Sequence, residues 1–132
     1  MNKKEATMTT RINKWFPLLV PQSSPWEVKH TRGARTFNLN EISDHQYDYL
    51  QAANTSHGCT VKLADLGVSH SPFDVLHYKN TPAYVIICFP ELTYVLEIRD
   101  IMQYIEDNGK SLPEQHADFL SLWTCKNSRL PQ

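Results

Sequence analysis

The sequence predicts one α/β (α+β) domain, with a mixed sheet of about five strands flanked by three or four helices. Three observations carry that reading. Ile42, Gln46, Tyr49, Leu50 and Ala53 recur at helical spacing. Residues 83–89, Ala-Tyr-Val-Ile-Ile-Cys-Phe, form an apolar, β-branched run suited to the centre of a sheet. Turn signals at Gly33, Lys79-Asn80-Thr81-Pro82 and Pro90-Glu91 then cut the chain into strand-length pieces. The length, 132 residues, fits a single domain. A chain of this size buries roughly two thirds of the surface its unfolded form exposes, which is enough for one core.

In chain order, residues 1–10 are polar and expected to fray. Residues 11–20 hold Ile12, Trp15, Phe16, Leu18 and Leu19, read as a short helix ended at Pro17 or as an arm that packs on a neighbour. Residues 26–30 read as a strand, in which alternation brings Glu27 and Lys29 to one face. Residues 31–35 are a basic turn. Phe37-Asn38-Leu39-Asn40 leads into a helix that Asn40 or Ser43 caps and that runs to about Asn54. Residues 59–64 are a short strand, 65–72 a loop and 73–78 a strand. The central strand 83–89 is followed by a strand over 93–98 and a helix over 100–107, closed near Gly109. Ser111-Leu112-Pro113-Glu114 has the form of a capping box with proline in the first turn. A last helix is expected to reach about Cys125, with 126–132 loose.

Bulk properties exclude several classes. Apolar residues make up 41% and charged residues 20%, as in a globular protein and not a disordered one. The net charge of −1 argues against coating nucleic acid by charge alone, although a local basic patch can still bind DNA. The three cysteines, Cys59, Cys88 and Cys125, are odd in number and lack CxxC spacing. A disulfide framework or structural zinc is therefore not expected, and a reducing cytoplasm is the natural compartment. No signal peptide and no membrane-spanning run is read. No glycine-rich phosphate loop is present.

The residues with chemical potential start at Glu27-x-Lys29. A metal-dependent phosphodiesterase needs oxygen ligands for a hard cation and a positive charge near the attacking water or the scissile phosphate. One carboxylate and one lysine, two apart on a strand, put both on one face. The same pair also occurs as an ordinary solvated strand face, so its neighbours matter.

Those neighbours are specific in order. Glu27-Val28-Lys29-His30-Thr31-Arg32-Gly33, then Phe37-Asn38-Leu39, then a helix with His45-Gln46, resembles the catalytic core of RecU-type Holliday-junction resolvases, a branch of the PD-(D/E)XK nucleases. The resemblance continues through strands 83–89 and 93–98 and the helix after them, covering roughly residues 26–106. It implies a restriction-endonuclease-like core and a Mg²⁺-dependent endonuclease on DNA, branched or not, with Mn²⁺ able to substitute. Resolvases of this branch act as homodimers, and the apolar segment around Trp15-Phe16 is a candidate interface.

The family also places an aspartate on the strand before Glu-x-Lys, whereas Glu5 is the only acidic residue upstream of Glu27 here. Ser71-Pro72-Phe73-Asp74 resembles the family's aspartate strand in a later position. The implied arrangement is a hairpin relocated by permutation, with Asp74 meeting Glu27 across the sheet. In that arrangement Asp74 and Glu27, with the carbonyl of Val28, bind the metal. Lys29 orients water or stabilises charge on phosphate, and Gln46 positions Lys29 or a water. His30, Arg32 and Arg35 either hold phosphates or form a solvated turn, and His45 is either a DNA contact or an ordinary helix-surface histidine. Asp65 reads as a loop cap before it reads as a ligand. The competing reading is a catalytically inactive module of this fold that binds DNA or a protein partner.

Overall fold

The computed structural model describes Thr10, Ile12 and residues 24–62 and 75–126. These form an α+β domain around a four-stranded mixed sheet of order β1-β5-β6-β8. The strands are β1 (Trp26–His30), β5 (Tyr84–Cys88), β6 (Leu92–Glu97) and β8 (Trp123–Lys126). β1 runs parallel to β5, and the other neighbours are antiparallel. A parallel pair needs a crossover, and the connecting chain supplies it with a helix. Among the described residues there are also two small two-stranded sheets. One pairs β2 (Thr36–Asn38) with β7 (Ser111–Pro113), the other β3 (Cys59–Lys62) with β4 (Val75–Tyr78).

The main sheet is covered on both faces, which explains the unbroken apolar run of β5. Val85, Ile87, Tyr94 and Leu96 face three helices: α1 (Asp44–Ala53), α2 (Ile98–Asn108) and α3 (Glu114–Leu120). Leu50 and Ala53 of α1, Ile98 and Ile101 of α2 and Ala117 of α3 close this side, all essentially without exposure. Tyr84, Ile86, Cys88, Val95 and Cys125 face the other way, with Trp26, Val28 and Trp123 packed against them. Ile12 is fully buried on this second side, and Thr10 and Ile12 have helical backbone. Ile12 therefore reaches the back of the sheet, two residues past the stretch whose polar composition predicts fraying. Trp15 and Phe16 lie outside the described residues.

Several boundaries differ from the sequence reading for identifiable reasons. Ser111-Leu112-Pro113 is strand β7, not a capping box. Phe37 pairs with Leu112, and both are buried. Helix α3 starts at Glu114 behind Pro113 and has no side-chain cap. It ends at Leu120, and Trp123–Lys126 pairs with β6 where local pattern predicts a continuing helix. Thr36–Asn38 has the sequence of a lead-in to the helix, but pairing with β7 makes it a strand. Ile98 begins α2 and does not end β6. The differences at β2, β7 and β8 come from pairing between distant segments, which local pattern does not encode.

The basic turn has a geometry set by its glycine. Arg32 (φ 58°) and Gly33 (φ 90°) are both left-handed, and Ala34 N–H donates to the Thr31 carbonyl at 3.3 Å. Two successive positive φ values are the pattern of a type I′ turn, which Gly accepts without steric cost.

Candidate functional site

Glu27 and Lys29 lie on the helix-facing side of β1, opposite Val85 and Ile87 of β5. Strand alternation dictates this once Trp26 and Val28 enter the opposite core cluster. Both residues are half-buried. Helix α1 reaches Glu27 with two side chains, and its start is well defined. Ser43 is the N-cap, its Oγ accepts from Gln46 N–H at 3.1 Å, and Gln46 Oε1 accepts from Ser43 N–H at 3.0 Å. This reciprocal capping box satisfies two amide donors that a helix start otherwise leaves open.

The box also orients Gln46. With Oε1 held by Ser43 N–H, the amide must turn Nε2 outward, and Nε2 donates to Glu27 Oε2 at 3.1 Å. One turn further on, Tyr49 O–H donates to Glu27 Oε1. Residues three apart on a helix share a face, so α1 presents both donors to one carboxylate. The His45 ring packs against Tyr49 with centroids 6.0 Å apart and is itself exposed.

The expected members of the site thus divide. Glu27 and Gln46 come together, and Lys29 shares the strand face of Glu27. Gln46, expected to position Lys29 or a water, holds Glu27 instead. Tyr49 belongs by spacing to the helix's core-facing pattern, and the signal for its second role is its place three residues after Gln46. Val28 sits between Glu27 and Lys29 with its side chain in the opposite core, so only its main chain is available to the site. His45 lies at the exposed edge.

The expected phosphate contacts also separate. His30 falls on the back face of the sheet by the same alternation that brings Glu27 and Lys29 to the front. It is 3% exposed, and its Nδ1 accepts from Arg32 N–H at 2.9 Å. It shapes the turn and offers no surface to a phosphate. Arg35 is exposed, but its guanidinium is engaged within the protein by Glu114 at 2.9 Å and Glu91 at 3.9 Å. Glu114 also accepts from the buried Tyr94 hydroxyl at 2.7 Å. Burial, then this hydrogen bond, pushes the Tyr94 phenol above its usual range. The Arg35–Glu114–Tyr94 group therefore ties the turn before β2 to α3 and β6. Arg32 remains as the exposed cation of the turn, and among the described residues no carboxylate pairs with it.

Asp74 and Asp65 lie outside the described residues. The strand that follows Asp74, β4, pairs with β3 in its own sheet and not with β1. Among the described residues no three of His, Cys, Asp and Glu gather in a cluster able to hold a metal. Mg²⁺ does not require such a cluster, because it is held by one or two carboxylates and keeps several waters. A carboxylate has about four lone-pair sites. Gln46 and Tyr49 occupy two at Glu27, which leaves room for a cation.

The chain has no match among known protein families, curated proteins or solved structures.

Proposed function

We propose that this chain is a metal-dependent endonuclease of the PD-(D/E)XK type, acting on DNA, with branched DNA as the substrate to test first. The observation that carries the reading is the Glu27 carboxylate, held by Gln46 and Tyr49 on the strand face that also bears Lys29. A half-buried carboxylate fixed from two sides, with a lysine two residues on, is the arrangement a hard cation and a phosphate need together.

Glu27, with the Val28 carbonyl, Asp74 and waters, would hold Mg²⁺ or Mn²⁺. Bound there, the ion would supply a water of lowered pKa and charge stabilisation at phosphorus. Lys29 carries a positive charge to the same face, where it attracts the phosphate and stabilises negative charge as it builds. Gln46 and Tyr49 hold Glu27 ready, so little reorganisation remains when substrate binds. Arg32, exposed on the turn after β1, meets the phosphate backbone beside the site. A four-way junction has two symmetrical strands to cut, which calls for two copies of the chain.

The test is a nicking assay on plasmid and four-way-junction DNA with Mg²⁺ or Mn²⁺. Cutting by the wild-type chain should fall by at least about 100-fold in Glu27→Gln, Lys29→Ala and Asp74→Asn, the scale seen when a charge-stabilising group is removed. DNA binding without cutting, unchanged by those substitutions, would establish the non-catalytic module instead.

A further inference from the structure

We infer that Tyr49 is a positioning residue for Glu27, and that the two α1 donors act as a pair to set the metal affinity of that carboxylate. The inference rests on the proposed metal-dependent reading. It assigns a role to a residue that the resemblance does not single out.

Strand β1 fixes the Glu27 main chain by pairing with Val85 of β5. Beyond it, the glutamate side chain still turns about three bonds. A single hydrogen bond to one oxygen leaves the carboxylate free to pivot about that contact. Gln46 holds Oε2 and Tyr49 holds Oε1, so the plane of the group is fixed as well as its position. Neither donor can readily follow a wandering carboxylate. Gln46 is locked by its bond to Ser43 N–H, and Tyr49 is half-buried against the main core cluster. The remaining lone pairs of Glu27 therefore point in set directions before any cation arrives.

Such outer partners of a ligating group typically contribute about 10- to 100-fold in metal affinity. Tyr49→Phe removes the donor and keeps the ring. A control is at hand in the same helix. Tyr47 O–H donates to the Leu39 carbonyl at 2.5 Å, away from Glu27, so Tyr47→Phe removes a comparable hydroxyl with no link to the site.

The experiment is Mn²⁺ binding to the full chain without DNA, by calorimetry or electron paramagnetic resonance, with thermal melting as a check on folding. Tyr49→Phe is expected to remain folded and to bind Mn²⁺ about 10- to 100-fold more weakly than wild type, while Tyr47→Phe binds like wild type. Equal affinity in wild type and Tyr49→Phe overturns the inference and leaves the metal site standing. Equal weakening in both tyrosine variants, or loss of folding in Tyr49→Phe, also overturns it, because the hydroxyl is then merely structural. If wild type binds no better than Glu27→Gln, the metal-dependent reading falls, and this inference with it.

Discussion

Exchanging the two residues that face each other between β1 and α1 isolates their contact from everything around it. Gln46→Glu alone keeps an oxygen for Ser43 N–H, so the capping box survives. It replaces the donor facing Glu27 with a second carboxylate at the present 3.1 Å separation. Two like charges at that distance repel by roughly 1 kcal/mol in water and roughly 5 kcal/mol at an effective dielectric of about 20. For groups only partly removed from water, a cost of about 2 kcal/mol lies between those limits. With an unfolding entropy of ~2.1 cal/mol/K per residue over 132 residues, that lowers the melting temperature by about 7 °C. Glu27→Gln alone can still accept from Tyr49 and costs about 0.5–1 kcal/mol.

In the double exchange every group is satisfied again. The amide placed on β1 accepts from Tyr49 and donates to the carboxylate placed on α1, which in turn accepts from Ser43 N–H. The second substitution should then cost almost nothing, a coupling of about 2 kcal/mol in a double-mutant cycle measured by urea and thermal unfolding. The exchanged protein should be nearly as stable as Glu27→Gln and, on the proposed function, just as inactive. If Gln46→Glu costs the same in both backgrounds, the residues do not touch, and the account of the site from α1 is refuted.

Two further outcomes come from the packing. Leu50, fully buried between α1 and the sheet, should cost about 2–5 kcal/mol as Leu50→Ala, a drop of at least about 7 °C; a loss below about 1 kcal/mol would mean α1 does not seal the helix side of the core. The Tyr47 phenol is pushed up from 10.0 to about 12, by burial first and the Asp44 charge second. A raised folded value means that above pH 10 the unfolded chain releases a proton the native chain keeps. Stability is therefore complete below pH 10 and declines toward pH 12. Tyr47→Phe should flatten that decline in urea unfolding followed against pH, and an unchanged slope would exclude Tyr47 as its source.

The sequence by itself determined what depends on local pattern. Helical spacing placed the end of α1 to within a residue or two and left its cap between Asn40 and Ser43, of which the structure uses Ser43. Apolar, β-branched residues made the core of β5 unmistakable, and alternation put Glu27 and Lys29 on one face. The same alternation turns His30 away from them, but this matters only because β1 has a core on each side, which is a fact of the fold. Tertiary structure decided the rest. Strands β2 and β7 exist because Phe37 and Leu112 bury each other across more than seventy residues of chain. β8 exists because β6 offers an edge to pair with, and Trp123 and Cys125 fill the back of the sheet. Arg35 has the residue type and position of a DNA contact, and folding brings Glu114 and Glu91 to it instead. The site shows the same division. Residue type and spacing marked Glu27, Lys29 and Gln46, but only the seating of α1 over β1 showed that Gln46 and Tyr49 both donate to Glu27. A hydrogen bond between residues nineteen or twenty-two apart is a property of packed elements, and no pattern within either element specifies it.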